Sequence, residues 1–359
     1  MKNICFFGNF SGGGTEKVTS LIANEITKQK SKYKIYILKK NYPNRSLKFY
    51  FSENIAIFTL FKENDRNSII MGIASLRKFL KTNNIDVLIN VEAMMGIYSI
   101  IATSFMKCKN IIWEHANYFQ NQNSRYIKLI RKLELYISDY YIVLTKRDLN
   151  NFKKHYTIKC PITNIYNPVE KVCHKIDYQS NSKIIISVGH IRFIKNFIII
   201  PDIAKIVLKK HPMWTWKIYG VRGDKSYEIL YKKIIDYGLQ KNVILCGSRS
   251  SMDEIYPNAS ILVLTSLMEG CPMTLLEAKY YKIPCISFDI ETGPDEIIND
   301  KINGFLVEPY SIEKMADKIC ILIENDNLRK QMSEMAYYNI KDFDINDIKE
   351  KWMYILDYL

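Results

Sequence analysis

Short apolar runs alternate with longer stretches in which apolar residues recur at helical spacing, through most of the first 170 residues. The predicted strands are Ile4–Phe7, Ile35–Leu38, Val87–Ile89, Asn110–Trp113 and Tyr141–Leu144. The predicted helices are Thr15–Lys28, Arg66–Leu80, Met94–Met106 and Ser124–Ile137. Strands and helices that alternate in this way form a parallel sheet with helices packed on both of its faces.

A second series of the same kind follows an interruption at 161–169, where Pro161 and Pro168 disfavour a helix. Its predicted strands are Lys183–Val188, Trp216–Tyr219, Val243–Cys246, Ile261–Leu264 and Cys285–Phe288. Its predicted helices are Phe197–Lys209, Ser226–Tyr237, Thr274–Tyr281 and Ile312–Glu324. The pattern therefore predicts two α/β domains, 1–168 and 169–340, whose strand ends face each other across a cleft. Open α/β sheets bind ligands outside the carboxyl ends of their strands.

Composition narrows the class of protein. No run reaches the ~18 uncharged apolar residues of a membrane helix, and the apolar start Ile4–Phe7 is too short for a signal peptide. The 8 cysteines are scattered, without a Cys-x-x-Cys pair or zinc spacing, which is typical of reduced thiols. A cytoplasmic protein is expected, and a catalytic cysteine or a disulfide is the alternative.

The positive charge is confined to one half of the chain. Residues 1–170 contain 26 basic and 12 acidic residues, so they carry the whole net charge of +14. This distribution indicates an anionic partner for the first domain, or a simple drift of composition towards lysine. The segment 125–135 alternates cations and apolar residues at helical spacing. Such a helix can lie on an anionic membrane surface, or it can pack its apolar side on the sheet with its cations in water.

Three glycines, Gly12, Gly13 and Gly14, follow the first predicted strand and open the first predicted helix. Glycines let backbone N–H groups approach an anion, and a helix start favours negative charge. The segment matches neither G-x-G-x-x-G nor the phosphate-binding pattern that ends in G-K-[ST]. Either Gly13 and Gly14 contact a phosphate-containing donor, or the segment is a plain tight turn.

A basic loop, 189–196, follows the first strand of the second domain. It contains His190, Arg192 and Lys195. Cations on a strand-to-helix loop at the mouth of a cleft can hold a diphosphate and stabilise it as it leaves. The alternative is a solvated basic loop.

The most specific feature is the segment Glu-Gly-Cys-Pro-Met-Thr-Leu-Leu-Glu-Ala at 269–278. Gly270 lets the backbone approach a ligand, and Pro272 suits the first turn of a helix. Glu269 and Glu277 are eight positions apart, or about 12 Å along a helix, which suits two sugar rings separated by a diphosphate. Carboxylates accept hydrogen bonds from paired hydroxyls, and helix-start amides bind phosphates. The alternative is two surface glutamates.

This Glu-x7-Glu pattern resembles the signature of the retaining glycosyltransferases of family 4, which have the GT-B fold of two Rossmann-like domains. The likeness extends over nearly the whole chain: Lys195 sits at the family's lysine position, and Gly304–Val307 matches one of its strands. The run 292–298 resembles a subgroup that builds bacterial surface polysaccharides such as capsule, O-antigen or exopolysaccharide. The resemblance implies that 341–359 forms a helix returning to the first domain.

The resemblance also implies roles for individual residues. Glu269 and the backbone of 271–274 would hold the donor sugar and its phosphates, and Glu277 would hold the ribose. Lys195, with an arginine, would neutralise the leaving diphosphate. His190 occupies the usual place of that arginine, and Arg192 lies two residues further on. The expected donor-binding residues are Gly13, Gly14, His190, Gly270, Cys271, Pro272, Met273, Thr274 and Glu277.

His115 lies where the family often has a histidine near the acceptor and the donor sugar. A structural histidine is the alternative. The run Asp342-Phe343-Asp344 spells a metal-binding D-x-D, but its place before a predicted helix favours a cap. No cofactor and no essential metal are expected, because the nucleotide sugar is a substrate.

The expected reaction is transfer of a hexose or N-acetylhexosamine, with retention, from a UDP-sugar to a glycan or lipid-linked glycan. A nucleotide-sugar epimerase, acting on the donor without an acceptor, is one alternative. A non-catalytic sugar-binding homologue is another. Nucleic acid is not an expected partner, because no recognition helix, zinc spacing or RNA-binding motif is present.

Overall fold

The computed structural model describes residues 1–10, 12–40, 47–61, 68–120, 122, 124–169, 178–249 and 251–359. The chain forms two compact units. The first consists of Met1–Glu170 together with Asp342–Leu359, and the second is Lys171–Lys341. These boundaries fall one or two residues beyond the predicted ones, at 168 and 340.

The first unit is built on a parallel sheet. Its strands are β1 Lys2–Gly8, β2 Tyr33–Lys39, β3 Ala56–Thr59, β4 Val87–Val91, β5 Lys109–Trp113, β6 Tyr140–Val143 and β7 Ile162–Asn164. They lie in the order β3-β2-β1-β4-β5-β6-β7, and every pair is parallel. Its helices within the first 170 residues are α1 Gly14–Thr27, α2 Ile69–Thr82, α3 Gly96–Thr103, α4 Arg125–Ile137 and α5 Lys146–His155. The strand order reverses between β1 and β4.

Several elements of this unit differ from the prediction. β3, β7 and α5 were not predicted, and β7 lies within the segment that was predicted to be only a break. Pro161 immediately precedes β7, where it is tolerated because β7 is an edge strand. The helix predicted from Met94 begins instead at Gly96, after a 3-10 turn. The predicted start of the second helix, Arg66, lies outside the described residues, and α2 begins at Ile69.

The second unit repeats the architecture with six strands. These are β8 Ile184–Val188, β9 Thr215–Tyr219, β10 Val243–Gly247, β11 Ile261–Leu264, β12 Cys285–Phe288 and β13 Gly304–Val307. They form a parallel sheet in the order β10-β9-β8-β11-β12-β13. The helices are α6 Ile200–Lys210, α7 Ser226–Asp236, α8 Met273–Tyr280, α9 Pro294–Ile297, α10 Ile312–Glu324 and α11 Asp326–Glu334. The order reverses between β8 and β11. The two Rossmann-like units confirm the predicted α/β fold class.

The last helix, α12 Ile345–Tyr358, packs on the first unit, as predicted. Trp352 is fully buried there, with its ring 4.7 Å from that of Trp113 and 6.4 Å from that of Phe6. Asp344 caps α12 by accepting a hydrogen bond from the backbone N–H of Asn346 at 2.9 Å. The prediction that this D-x-D run serves as a helix cap is therefore confirmed.

Among the described residues, no helix has both the length and the apolar character that are needed to cross a membrane.

Candidate active site

Lys195 is positioned by a 3-10 turn, Phe193–Lys195, in the loop after β8. The loop is tied to the segment after β11, because Leu267 donates its backbone N–H to the carbonyl of Ile194 at 2.8 Å. The hydroxyl of Thr265 also donates to the carbonyl of Lys195 at 3.0 Å. Two loops from neighbouring strands, β8 and β11, thus form one edge at the point where the strand order reverses.

Lys195 and Glu269 meet at this edge. The Lys195 ammonium donates to Glu269 Oε1 at 2.5 Å, and the hydroxyl of Ser266 donates to the same oxygen at 2.6 Å. The backbone of Glu269 is held as well, because Thr292 donates to its carbonyl oxygen at 2.6 Å. The lysine side chain is 23% exposed and the glutamate side chain 10% exposed. The structure therefore brings a cation and a carboxylate together at a position that is mostly buried but still in contact with solvent.

Glu277 lies in α8 and is also hydrogen-bonded. The hydroxyl of Tyr256 donates to Glu277 Oε2 at 2.6 Å. Burial, followed by the nearby Glu277 carboxylate, raises the pKa of Tyr256 well above its ordinary value, so this tyrosine stays a neutral donor. The ring of Tyr281 stacks on that of Tyr256 with centroids 5.1 Å apart. Glu277 is thereby fixed in one orientation.

Polar groups at the start of α8 are available to a ligand. The first N–H groups of a helix have no acceptor within the helix. The Thr274 hydroxyl oxygen is buried, and no other described residue is hydrogen-bonded to it. Pro272 precedes the helix, and the Cys271 side chain before it is buried. This end of α8 is suited to receive an anion.

Gly293, which was noted in the sequence only as part of a longer run, shapes the same segment. It has a φ of 101°, and a Cβ there would lie 2.8 Å from both the Gly270 carbonyl oxygen and Pro272 Cδ. Only glycine fits this position without displacing the Glu269–Pro272 loop.

Arg192 and His190 occupy the same loop as Lys195 but differ in their surroundings. Arg192 is exposed and lies against Gly223, where a Cβ would come 2.2 Å from Arg192 Cγ. The backbone N–H of Lys195 donates to the Arg192 carbonyl at 3.0 Å, but among the described residues no hydrogen bond or ion pair joins the Arg192 guanidinium to the side chain of Lys195 or Glu269. His190 is half-buried.

The backbone of the glycine-rich loop in the first unit is hydrogen-bonded to a carboxylate of the protein itself. The Glu16 carboxylate, in the first turn of α1, accepts the backbone N–H groups of Gly12 at 2.7 Å, Lys48 at 2.5 Å and Phe49 at 3.1 Å. Gly12 has a φ of 81°, which favours glycine. Gly13 precedes α1 and Gly14 is its first residue. The sequence reasoning did not foresee that Glu16 caps this loop.

His115 follows β5 and is held by a buried ion pair. Arg131, in α4, donates to the Glu114 carboxylate at 3.1 Å. The same guanidinium donates to the carbonyls of Asn117 at 3.1 Å and Tyr118 at 2.9 Å. Arg131 therefore fastens the loop that carries His115, and it is not one of the outward-facing cations that the sequence suggested for α4.

His115 itself is a neutral histidine. Burial lowers its pKa to about 3. Its ring packs on Trp113 with centroids 4.4 Å apart, and its buried Nε2 has no hydrogen-bond partner among the described residues. His115, Gly13 and Gly14 belong to the first unit, whereas the other predicted site residues belong to the second.

Within the described residues, the one group of three potential metal ligands whose ligand atoms all lie within 4.8 Å of one another is His211, Cys320 and Glu324. It joins the end of α6 to α10. None of the predicted site residues belongs to it.

The sequence matches two family models that together span most of the chain. Residues 12–171 match the model described as Glycosyltransferase Family 4, and residues 171–338 match the model described as Glycosyl transferases group 1.

Two curated relatives match over nearly their whole length. The chain is 26% identical to the amylovoran biosynthesis glycosyltransferase AmsD of Erwinia amylovora, over 98% of this chain and 97% of the relative. It is also 26% identical to a Campylobacter jejuni enzyme over 99% of this chain and 98% of that protein. That enzyme is named as an alpha-1,4-N-acetyl-D-galactosaminyltransferase acting on a diNAcBac-PP-undecaprenol-linked GalNAc disaccharide.

The fold has solved counterparts. A mutant of Staphylococcus aureus TarM, in complex with fondaparinux, alpha-GlcNAc-glycerol and UDP, superposes with a TM-score of 0.83 at 18% identity, covering 99% of each chain. This likeness shows the fold. The two family models, which together match residues 12–338, show that the chain is a glycosyltransferase that belongs to family 4, and its fold is GT-B.

Proposed function

We propose that this enzyme transfers a hexose or N-acetylhexosamine, with retention of anomeric configuration, from a UDP-sugar to a glycan or lipid-linked glycan. The product would enter a bacterial surface polysaccharide, such as capsule, O-antigen or exopolysaccharide. The observation that carries the proposal is the Lys195–Glu269 pair beside the start of α8. The names of the Erwinia and Campylobacter relatives and the UDP bound to TarM support the classes of acceptor and donor.

In this proposal the second unit binds the donor. Glu269 accepts hydrogen bonds from sugar hydroxyls, Glu277 from the ribose, and the first N–H groups of α8 hold phosphate oxygens. Lys195 is already held near the sugar-binding carboxylate, so it stabilises negative charge on the diphosphate as the glycosidic bond breaks.

The two carboxylates of this site are assigned to binding, Glu269 to sugar hydroxyls and Glu277 to the ribose, and we therefore propose front-face displacement without a covalent intermediate. The acceptor oxygen forms a bond to the anomeric carbon while the bond from that carbon to the phosphate oxygen breaks. The departing phosphate takes the electron pair of the broken bond and the acceptor proton. Arg192 is exposed, whereas Lys195 is paired with Glu269, so we assign the main cationic role to Lys195.

A donor screen tests this site. The purified chain is mixed with UDP-, GDP-, ADP- and TDP-sugars, and thermal shift and slow donor hydrolysis are recorded. Stabilisation by a UDP-sugar that disappears in Glu277→Ala is expected. Glu313→Ala, an exposed glutamate in α10, serves as the matched control and should keep the response. A folded chain that responds to none of the sugar nucleotides contradicts the proposal.

We also propose that the transfer needs no added metal ion, because Lys195 and the helix start can neutralise the diphosphate. Transfer measured after exhaustive chelation with EDTA should equal transfer in the presence of Mg²⁺. Loss of activity on chelation, with recovery on adding the ion, contradicts this part of the proposal.

We further propose that the enzyme binds its acceptor at the cytoplasmic surface of an anionic membrane. The buried side of α4 contains Ile130, Arg131, Glu134 and Leu135, and the exposed side of the helix contains apolar residues as well. The exposed apolar residues are Tyr126, Leu129, Leu133, Tyr136 and Ile137. The cations Arg125, Lys128 and Lys132 on the same helix, within the basic first unit, suit an anionic headgroup layer.

Liposome flotation tests the membrane step. Vesicles with 30 mol% phosphatidylglycerol, roughly the anionic content that such helices need, should carry the wild-type chain upward at low salt. The double variant Leu129→Ser/Leu133→Ser should bind much less, and Lys209→Ala, an exposed lysine in α6, should bind normally. If the wild-type chain does not bind these vesicles at low salt, the proposed contact with the membrane is wrong.

A further inference from the structure

The carboxyl edge of the first sheet contains a glutamate with no role in the site described above. Glu92 follows β4 directly, at the point where the strand order reverses between β1 and β4. Open α/β sheets bind ligands outside the carboxyl ends of their strands at such a point. Gly8 ends β1 beside it, and His115 follows the neighbouring strand β5.

The backbone of Glu92 is held in a conformation that residues with a Cβ rarely adopt. Its φ is 82° and its ψ is 133°, and its N–H donates to the carbonyl of Trp113 at 2.9 Å, which fixes the peptide. Glycine would adopt this conformation at little cost, whereas glutamate is strained there. Strain of this kind is concentrated at ligand-binding sites.

The Glu92 carboxylate is also short of hydrogen-bond donors. The side chain is half-buried, so it is partly shielded from water, and no described residue donates a hydrogen bond to its carboxylate. Burial, and then the carboxylate of Glu114, raise the pKa of Glu92 to about 7, while the ammonium of Lys40 opposes the shift. Buried polar groups in native proteins nearly always have a partner. The side chain is therefore prepared for a donor that the protein itself does not supply.

We propose that Glu92 binds the acceptor, accepting hydrogen bonds from the hydroxyls of the sugar that receives the transfer. This inference rests on the proposed glycosyltransferase function, and it adds a residue in the first unit that recognises the acceptor. A carboxylate can bind two neighbouring hydroxyls at once and repels phosphate, so the group bound here is the neutral sugar ring. The unpartnered Nε2 of His115, on the next strand, offers the same sugar a second polar contact.

Saturation-transfer difference NMR tests the proposal without requiring turnover. The full-length chain with UDP is titrated with methyl glycosides of glucose, galactose, N-acetylglucosamine and N-acetylgalactosamine. At least one glycoside should bind the wild-type chain, and Glu92→Gln should weaken that glycoside about tenfold or more, because a hydrogen bond to a charged group is lost. Glu53→Gln, the same change at an exposed glutamate of the same unit, should leave the affinity unchanged.

Two results overturn the inference: a glycoside affinity of Glu92→Gln within twofold of the wild type, or a wild-type chain that binds none of the four glycosides. The donor screen separates this failure from failure of the proposed function. A chain that responds to a UDP-sugar but shows no effect of Glu92→Gln refutes only the role of Glu92. A chain that binds neither donor nor glycoside refutes both.

A second variant separates binding from structure. Glu92→Gly removes the carboxylate and relieves the backbone strain, so it should abolish glycoside binding while raising the melting temperature. A residue that the fold needs would behave in the opposite way. A lower melting temperature with unchanged glycoside affinity therefore also overturns the inference.

Discussion

The carboxyl edges of the two sheets differ in how their polar groups are satisfied. In the second unit, the two glutamates of the signature already have partners, Lys195 for Glu269 and Tyr256 for Glu277. In the first unit, the buried Nε2 of His115 has no partner among the described residues. The half-buried Glu92 carboxylate accepts no hydrogen bond from them, and the glycine-rich loop is filled by Glu16. One edge is organised before its ligand arrives, while the other keeps unsatisfied groups that a ligand could satisfy.

This difference explains why the family resemblance implies roles for more residues in the second unit than in the first. Lys195 and Glu277 are proposed to serve a nucleotide-sugar donor of a kind common to many glycosyltransferases, so their setting can be carried over from a motif. Glu92 and His115 lie where the acceptor is proposed to bind, and acceptors vary from enzyme to enzyme.

The largest expected effect is on the stability of the first unit. Arg131→Ala leaves the Glu114 carboxylate buried without its partner, since both side chains are 2% exposed. Breaking a buried ion pair in this way costs about 3–5 kcal/mol. Urea denaturation should show that loss, and Lys128→Ala, an exposed lysine of the same helix, should change stability by less than about 0.5 kcal/mol. A loss below about 1 kcal/mol in Arg131→Ala would mean that the ion pair does not hold the His115 loop.

The next effect is on catalysis in the second unit. Lys195→Ala should lower kcat by about 100-fold or more, because it removes the cation that faces the leaving diphosphate. Initial rates at saturating donor and acceptor give kcat, and Lys209→Ala is the control for loss of an exposed lysine. An unchanged kcat in a folded Lys195→Ala chain would make the Lys195–Glu269 pair structural, and the organised edge would lose its catalytic interpretation.

The sequence predicted the elements that carry long apolar runs and the segment that carries the donor motif. It missed β3 and β7, which are short strands at the two edges of the first sheet and are only partly buried, so they lack the buried apolar run that marks equally short strands such as β11 and β12. It missed Glu92 because neither a positive φ nor the proximity of Glu114 can be read from neighbours in the chain. Arg131 was assigned to the outer side of α4 because a helical period cannot show that a cation has a buried carboxylate to pair with.

Glu92 should also make stability depend on pH. Its pKa is 4.5 in an ordinary setting and about 7 in the fold, where Glu114 and Lys40 are the charged groups that shift it. Between those values the native state holds a proton that the unfolded state has lost, so wild-type stability falls as pH rises from about 4.5 to 7. Above pH 7 the penalty is complete, at roughly 3 kcal/mol.

Glu92→Gln removes this titration. The variant should be more stable than the wild type by up to roughly 3 kcal/mol at pH 8 and equal to it at pH 4. Denaturation curves of both proteins at pH 4, 6 and 8 give the difference, in which other titrating groups cancel. A constant difference across this range would show that the Glu92 carboxylate already has a partner when folded, and the contrast between the two edges would weaken.

The smallest expected effect concerns the hydrogen bond that orients Glu277 in the second unit. Tyr256→Phe removes the hydroxyl that donates to Glu277 at 2.6 Å but leaves the ring that stacks on Tyr281. A lost hydrogen bond to a charged group is worth about 1.5–3 kcal/mol, and part of that should appear as roughly tenfold weaker UDP binding, measured by calorimetry. Tyr281→Phe, which loses a hydroxyl bonded instead to Asp253, should bind UDP normally. If Tyr256→Phe also binds UDP normally, the hydrogen bond from Tyr256 is not needed to orient Glu277. The donor site of the second unit would then be less preorganised than its hydrogen bonds indicate.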